Sequence, residues 1–426
     1  MKKRSPVRPI ISRMSLPATG SDAFSEEVTL EGHIIDSWIL PKVFDAVMDL
    51  GGAFDLKEIR VGRRKDEPSF ARLKVMAASQ AQLDRILTAL QNYGAVLVSR
   101  NDVRTEAAPC DGALPDEFYS TTHMPTQVRL HGHWVDVENT EMDLAIVVDG
   151  AQSRARMLPM AEVRKGDTVA VGHEGIRVIP PQRSREREVF SFMASDVSAE
   201  RPKRLVIEDI ARQLRETRAR GGKILVVAGP AIVHSGAGSY LARIIRAGFV
   251  QKLFGGNAIA AHDVESALLG TSLGVALRSG EPVEGGHRHH MVAINAIRKA
   301  GSLRQAVETG VLREGIMYEC IQQGVEVVLA GSVRDDGPLP DVIVDMAEAQ
   351  RRMRAAVKDV EIALMIATML HSIATGNMLP AAVKVVAVDI NPAVVTKLAD
   401  RGTFQALGLV TDAELFVREL ADALGV

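Results

Sequence analysis

Glycine-rich segments follow two apolar runs in the C-terminal half of the chain. The first segment reads KILVVAGPAIVHSGAGSYLARIIRAG, and the second reads LFGGNAIAAHDVESALLG. Small residues between a strand and a helix let backbone N–H groups approach a phosphate, and the helix dipole favours an anion there. Tight strand-to-helix turns would explain the same glycines, because the spacing is not GxGxxG. The candidate phosphate contacts are Gly229, Ser235, Gly236, Gly238, Gly255, Gly256 and Asn257.

An acid ends a third apolar run, in AAVKVVAVDINPAVVTKLADRG, where Asp389 is followed by Asn391 at a helix start. In dinucleotide-binding folds, such a carboxylate accepts hydrogen bonds from the adenosine ribose and repels a 2′-phosphate. The pattern therefore predicts NAD rather than NADP. Capping of the next helix by either residue is the alternative interpretation. Thr368 ends the preceding strand, so we expect it beside the same pocket.

A run of histidines with one arginine begins a predicted helix in EGGHRHHMVAINAIRKAG, at His287, Arg288, His289 and His290. Since no further ligand lies at a recognisable spacing nearby, we predict no metal site. A solvated or hydrogen-bonded histidine cluster is the favoured interpretation. Arg288 also suits bidentate binding of a carboxylate or phosphate.

Acids are concentrated in AGSVRDDGPLPDVIVD, a loop that follows another strand. It carries Arg334, Asp335, Asp336, Asp341 and Asp345. Acids at a strand end suit recognition of an amino group or proton transfer. A plain turn with solvated acids fits the same residues, since Asp and Gly are ordinary turn residues.

The composition favours a cytosolic protein with small-molecule ligands. Lys and Arg number 51 and Asp and Glu number 53, so the net charge of −2 gives no reason to expect a nucleic-acid partner. No apolar run reaches the roughly 20 residues of a membrane-spanning helix. Cys110 and Cys320 form no CxxC pair, which argues against a disulfide framework. Cys320, on a predicted helix, is expected to be a buried thiol unless a base lies beside it.

The elements that must position these residues form an α/β domain, predicted for residues 191–426. Its strands are continuously apolar, which indicates burial on both faces and a mostly parallel, doubly wound sheet. The six runs are KILVVAG, VQKLFGG, VEVVLAG, EIALMIATM, VKVVAVD and QALGLVT.

Residues 28–106 show a βαββαβ order, which predicts a ferredoxin-like α+β domain. HIIDSWIL is predicted as its first strand, with Pro41 in the first turn of the next helix. Such domains often bind amino acids or pair edge to edge, and we expect a homo-oligomer. Residues 107–190 are predicted as a β-rich segment ending in the linker PPQRSREREVFSF, and residues 1–27 as a disordered tail.

Several long stretches resemble the archaeal-type ornithine cyclodeaminases. The most specific are EGHIIDSWILPKVFDAVMDLGG, LPDEFYSTTHMPTQVR, GIMYECIQQGVEVVLAGSVRDDGPLPDVI and VKVVAVDINPAVVTKLADRGTFQALG. The N-terminal part of that family is shared with lysine-ketoglutarate reductase and saccharopine dehydrogenase. The resemblance implies a bound, recycled NAD and conversion of L-ornithine to L-proline with loss of ammonia.

That chemistry needs a cation for the substrate carboxylate and acids for its amines. Arg288 or Arg334 is the expected cation, Asp335 and Asp336 are the expected acids, and Cys320 is a further catalytic candidate. A net NAD-dependent amino-acid dehydrogenase and a non-catalytic amino-acid sensor are the alternatives.

The C-terminal sheet is also similar to deoxyhypusine synthase, which relies on a catalytic lysine beside paired histidines. Here Arg288 takes the comparable place in HRHH, and no lysine comes before Lys299. Aminobutyl-transfer chemistry is therefore not expected.

Overall fold

The computed structural model describes residues 24–35, 38–64, 67–98, 101–151, 153–179, 203–335, 337–400 and 406–426. Of residues 287, 399 and 400 only the backbone is described. The predicted linker PPQRSREREVFSF and residues 1–23 of the predicted tail lie outside these ranges. The chain divides into two compact units, residues 1–100 and 101–426.

The first unit is the predicted βαββαβ arrangement around an antiparallel sheet of order β2-β3-β1-β4. Its elements are β1 (Phe24–Gly32), α1 (Ile39–Asp49), β2 (Ala53–Arg60), β3 (Ser69–Ala77), α2 (Gln80–Gln91) and β4 (Val96–Leu97).

The prediction of a strand at HIIDSWIL is wrong, and β1 instead covers residues that were assigned in part to the tail. Val28 and Leu30 alternate inward on β1, whereas Leu40 is buried with Val43 and Val47 at helical spacing. The apolar run therefore spans a loop and the start of α1. Pro41 does lie in the first turn of that helix.

The second unit begins with the predicted β-rich segment, a seven-stranded sheet of order β11-β6-β7-β9-β8-β10-β5. Its strands are β5 (Thr105–Ala107), β6 (Thr126–Leu130), β7 (His133–Glu138), β8 (Ala145–Asp149), β9 (Arg154–Leu158), β10 (Thr168–Ala170) and β11 (Ile176–Val178).

All six predicted strands of the C-terminal domain are present, with helices between them. The elements are α3 (Lys203–Ala219), β12 (Lys223–Ala228), α4 (Ala231–His234), α5 (Gly238–Arg246), β13 (Lys252–Gly256), α6 (Asn257–Leu269), β14 (Thr271–Ser272), β15 (Val275–Ala276), α7 (His289–Ala300), α8 (Leu303–Glu308), α9 (Ile316–Gln322), β16 (Glu326–Ala330), α10 (Met346–Val357), β17 (Val360–Ile366), α11 (Leu370–Met378), β18 (Lys384–Asp389), α12 (Pro392–Asp400), β19 (Ala406–Val410) and α13 (Ala413–Leu424).

The large sheet is parallel throughout, in the order β16-β13-β12-β17-β18-β19. Ile224 and Val226 of the central strand β12 pack into the core on one face, and Leu225 and Val227 into the core on the other. Numbered along the domain, the strand order is 3-2-1-4-5-6, the order of the doubly wound dinucleotide-binding folds. The chain reverses its winding direction between β12 and β17, and ligands of such sheets bind in the crevice there.

The backbones leaving β12 and β17 touch at this crevice. A Cβ on Gly229 would lie 1.8 Å from the carbonyl oxygen of Ala367, which no side chain tolerates. The Gly229 N–H donates to the Ile366 carbonyl at 3.0 Å. Ala367 itself has a φ of 52°, in the left-handed region that residues other than glycine seldom adopt. The two strand ends are therefore held together by a close contact that requires glycine.

The β-rich sheet is joined to the α/β domain by an ion pair in which one arginine N–H is shared by two carboxylate oxygens. Arg354 Nε of α10 lies 2.9 Å from each carboxylate oxygen of Glu141, which is buried. The backbone N–H of Ala381 also donates to the His123 carbonyl at 2.7 Å. Both contacts lie within the second unit and join its β-rich sheet to its α/β domain.

A buried carboxylate on α6 holds the start of α9. The two oxygens of Asp263 accept the backbone N–H groups of Ile316 and Met317, each at 2.8 Å. Burial raises the pKa of Asp263 to about 6, although these two hydrogen bonds act in the opposite direction. The helix that carries Cys320 is thus fixed by an acid more than fifty residues earlier in the chain.

Replacement of Gly229 by alanine tests the contact between the strand ends. The added methyl group meets backbone that cannot move aside, so we expect Gly229→Ala to lower the free energy of unfolding by about 1 to 3 kcal/mol. Gly238→Ala is the matched control, since its Cβ would meet nothing closer than 3.8 Å. Urea denaturation of both variants measures the difference, and equal stability would contradict the assignment.

The buried Asp263 carboxylate predicts a pH dependence. Its pKa is higher in the folded than in the unfolded chain, so the folded protein binds the proton more tightly and this residue's contribution to stability rises as the pH falls. Relative to Asp263→Asn, the parent should gain about 1 kcal/mol between pH 7 and pH 5. Urea denaturation of both proteins at each pH gives this difference, and a pH-independent one would contradict the prediction.

Candidate functional site

The predicted ligand residues are brought to one edge of the parallel sheet. The glycine-rich segments follow β12 and β13, Thr368 follows β17, Asp389 ends β18, and the acid-rich loop follows β16. Parallel strands have their carboxyl ends at the same edge, so residues that are far apart in sequence become neighbours. The crevice between β12 and β17 lies in the middle of this edge.

The first glycine-rich segment is a loop that is interrupted by a single helical turn and has exposed residues after that turn. Ser235 follows α4, and its hydroxyl donates to the Ile232 carbonyl at 3.4 Å. Gly236 has a φ of 88° and is exposed, and Gly238 begins α5. The loop thus presents small residues directly beyond β12, as an anion-binding segment requires.

The second glycine-rich segment divides into packing and open positions. A Cβ on Gly255 would lie 2.7 Å from Ile259 Cγ2, so this glycine allows α6 to pack against its strand. Asn257 is buried, and its side-chain oxygen accepts the Leu339 N–H at 3.0 Å. Gly256 faces His371, whose Cε1 would lie 3.1 Å from an added Cβ. Burial lowers the pKa of His371, which favours a neutral ring at this edge.

Asp389 and Asn391 form a short hydrogen-bonded turn. One Asp389 oxygen accepts the Asn391 N–H at 2.8 Å, and the Asn391 side chain accepts the Ala393 N–H at 3.0 Å. Asn391 therefore caps α12. Asp389 is half-buried and lies across the crevice from β13, whereas dinucleotide folds usually carry their ribose-binding acid at the end of the second strand.

Each described acid of the loop after β16 accepts at least one backbone N–H group. The Asp335 carboxylate accepts the Ser332 N–H at 2.7 Å and its hydroxyl at 3.0 Å. Asp341 accepts the Leu303 N–H, and Asp345 caps α10. Asp336 lies outside the described residues, and Arg334 is exposed.

The remaining two catalytic candidates differ in accessibility. Cys320 is completely buried in the core on α9, and burial raises the pKa of its thiol. A neutral, inaccessible thiol is a poor nucleophile, so the structure agrees with the packing role expected by default. Arg288 is exposed just before α7.

A histidine cluster adjoins this edge, and the sequence analysis identified only part of it. His234 ends α4, and its ring lies edge-on to that of His262 at 4.7 Å between centroids. The ring centroids of His290 and His262 lie 6.5 Å apart, and Glu265 Oε2 lies 2.9 Å from His262 Nδ1. The signal for His262 and Glu265 was their three-residue spacing on one helix, which puts both on the same face. His234 could be found only from the fold.

The described residues contain neither a metal-binding group nor a membrane-spanning helix. No group of three His, Cys, Asp or Glu side chains there has a geometry that would hold a metal ion. Within the same part of the chain, every helix is too short or too polar to span a bilayer.

Family models match nearly the whole chain. Residues 25–124 match the conserved region of LOR/SDH bifunctional enzymes. Residues 125–207 match the first region, and residues 208–420 the Rossmann fold, of the C-terminal part of ArgZ-like arginine dihydrolases.

Individual relatives agree with these models. The ornithine cyclodeaminase of Methanocaldococcus jannaschii is 52% identical over 407 residues, which are 94% of this chain and 96% of the relative. Apo ArgZ, a cyanobacterial arginine dihydrolase, superposes with a TM-score of 0.83 at 40% identity. The chain covers 58% of that protein, and 94% of the present sequence is aligned.

A third relative was solved with ligands. AgrE, a bifunctional arginine dihydrolase/ornithine cyclodeaminase from a Nostoc species, forms a ternary complex with ornithine and NAD⁺. It superposes with a TM-score of 0.51 at 43% identity, over 94% of this chain and 57% of AgrE. From the full-length identity to the archaeal relative and the matching domain models, the chain belongs to the ornithine cyclodeaminase family of archaeal type.

Proposed function

We propose that this protein is an NAD-dependent ornithine cyclodeaminase that converts L-ornithine to L-proline and ammonia. The observation that carries the proposal is the binding of ornithine and NAD⁺ together by AgrE, which aligns with 94% of this chain. When bound, NAD⁺ accepts hydride from the ornithine Cα and returns it to the cyclic imine, so it is recycled.

The crevice between β12 and β17 fits the cofactor chemically. Gly229 lets the backbones that leave β12 and β17 approach each other, and exposed Ser235 and Gly236 leave the loop open to a pyrophosphate. Met369, Leu370 and Ile390 are 47%, 74% and 72% exposed beyond the neighbouring strands β17 and β18. Apolar side chains beside polar loop groups suit the flat rings of a dinucleotide.

Further contacts to NAD are assigned by position along the same edge. Thr368 and Asp389 follow β17 and β18, and we propose that the Asp389 carboxylate accepts hydrogen bonds from a ribose. Its negative charge would repel the 2′-phosphate of NADP. Gly238, Gly255, Gly256, Asn257 and Asn391 shape the edge around these groups.

The protein must bind a substrate that carries one carboxylate and two ammonium groups, and it must handle the ammonium protons. Arg288 or Arg334, both exposed, would pair with the substrate carboxylate. Asp335 and Asp336 would bind the ammonium groups. We leave Cys320 out of the machinery, because its thiol is buried and neutral. A homo-oligomer in the cytosol stays a prediction from the sequence.

One assay separates the proposed reaction from its two alternatives. With NAD⁺ and L-ornithine, we expect proline and ammonia in equal amounts and no net NADH absorbance. An amino-acid dehydrogenase would accumulate NADH, and a non-catalytic sensor would show only ligand-induced thermal stabilisation. Absence of product with ornithine, lysine and arginine would contradict the proposal.

The acids after β16 can be tested by matched substitutions. Misplacement of a reacting group typically lowers kcat by about 10²-fold, and we expect an effect of this size when Asp335→Asn or Asp336→Asn removes a charge that holds a substrate ammonium group. Asp345→Asn is the control, because asparagine caps helices as well as aspartate does. If both test variants turn over ornithine at the rate of this control, the assignment is wrong.

A further inference from the structure

Glu265 is a fully buried carboxylate that accepts four hydrogen bonds. His262 Nδ1 and Thr271 Oγ1 lie 2.9 Å from its oxygens, and the backbone N–H groups of Gly274 and Leu273 lie at 3.0 and 3.3 Å. Burial raises the pKa of Glu265, but the hydrogen bonds from His262, Gly274 and Thr271 outweigh it and lower the pKa overall. The residue is therefore an anion that the chain has enclosed and satisfied.

The same carboxylate maintains a strained hairpin. Leu273 and Gly274 join β14 to β15 with φ angles of 52° and 72°, as a two-residue type I′ turn requires. Leucine adopts this conformation rarely, and the Leu273 side chain is 59% exposed, so little packing holds it. Both turn N–H groups point to Glu265. Backbone strain that is maintained in this way is typical of functional sites.

The hydrogen bonds determine which ring nitrogen of His262 carries the proton. A carboxylate can only accept, so His262 Nδ1 must donate to Glu265. In the neutral ring, Nε2 then has a free lone pair.

The same argument extends to His289 through Thr271. The threonine hydroxyl has one proton, which it donates to Glu265 at 2.9 Å. It must therefore accept from His289 Nδ1, which lies 2.7 Å away. Glu265 thus determines the tautomer of two histidines, and in both of them Nε2 is the proton acceptor.

These rings belong to a half-buried group of histidines beside the edge of the sheet where we propose that NAD binds. His234 follows Gly229 by one helical turn, and its Nδ1 lies 2.6 Å from the Ser272 hydroxyl. Burial and the neighbouring His262 lower the pKa of His234, against an opposing effect of Glu265. The titratable groups in this cluster are His234 from α4, His262 and Glu265 from α6, and His289 and His290 from α7. Imidazole side chains are suited to proton transfer near neutral pH.

We propose that Glu265 is a positioning residue for proton transfer: it holds His262 and His289 as Nδ1–H tautomers, so that their Nε2 atoms accept the ammonium protons of a diamino acid substrate. This proposal rests on the proposed function. His262, which contacts Glu265 directly, and His289, which is linked to it through Thr271, are both half-buried, as groups at the boundary of a site would be.

The proton balance of the reaction matches two acceptors. The α-ammonium of ornithine loses one proton before its Cα gives up hydride, and the δ-ammonium loses another before its nitrogen attacks Cα. In the aminal, a proton moves from the ring nitrogen to the α-nitrogen, the bond between Cα and that nitrogen breaks, and ammonia leaves. After hydride returns to the ring carbon, one stored proton goes to the proline nitrogen and one to ammonia.

Glu265→Gln tests the proposal without changing the side-chain shape. An amide group facing His262 donates as well as accepts, which removes the reason for the Nδ1–H tautomer. We expect kcat for ornithine to fall by about 10² to 10⁴-fold, as when the acid that orients a catalytic histidine is made an amide, with little change in KM. Nitrogen-15 NMR of histidine-labelled protein should show the His262 and His289 rings as Nδ1–H tautomers in the parent and the loss of this state in the variant.

Thr271 provides a matched pair that removes the link between Glu265 and His289 while His262 keeps its direct contact with the carboxylate. Thr271→Val removes the hydroxyl at nearly constant shape and should lower kcat, whereas Thr271→Ser keeps the hydroxyl and should retain activity. If Glu265→Gln does not fold, the comparison of Thr271→Val with Thr271→Ser tests the proposal in its place.

Three results would overturn the positioning role: full activity in folded Glu265→Gln, full activity in Thr271→Val, or unchanged ring tautomers in variants that have lost activity. A parent chain that does not turn over ornithine would overturn the proposed function instead. In that case, Nδ1–H signals that disappear in Glu265→Gln would still support the control of the histidine tautomers.

Discussion

The contact between Gly229 and Ala367 is the constraint on which the arrangement of this site depends. Two strands that leave the sheet in opposite winding directions must separate beyond their last residues, and their separation creates the crevice. Here the backbones touch before they separate. The contact fixes where the chain leaves β12 and β17. The other loops around the crevice follow neighbouring strands, whose register with these two strands is set by the sheet.

Helix α6 carries two buried acids with different tasks. Asp263 and Glu265 are two residues apart, so they face different sides of the helix. Asp263 holds the start of α9, whereas Glu265 holds the β14–β15 hairpin, His262 and, through Thr271, His289. Because buried carboxylates without hydrogen bonds are costly, each acid requires its partners to be in place. One helix thereby links the core of the domain to the histidines at its surface.

Sequence patterns predicted the sheet well because a strand that is buried on both faces is a continuous run of apolar residues. Each apolar run became a strand, including the edge strands β16 and β19. The pattern was ambiguous at HIIDSWIL, where a buried apolar loop residue, Ile34, lies five residues before the start of the amphipathic helix α1. Runs of this kind have no period that separates strand from helix.

The site was less predictable, because its residues meet only through the fold. Glycines at strand ends indicate a turn whether or not a ligand binds, and Asn257 illustrates the difficulty, since its side chain holds Leu339. Glu265 looked like one charge among many on a helix. Its role depends on contacts with the β14–β15 hairpin and, through Thr271, with α7. Both elements come later in the chain, and no sequence pattern in them indicates a contact with Glu265.

The pairing of β12 with β17 also has a consequence for how the chain reaches its native state. These central strands are adjacent in the sheet but separated in sequence by most of the domain. Their pairing closes a long loop, whose entropy must be lost before the contact contributes stability, and such non-local pairing slows folding. During this interval, the apolar edges of both strands are open to pairing with other chains. Synthesis of this protein therefore has an aggregation-prone stage that ends only when β17 has emerged and docked.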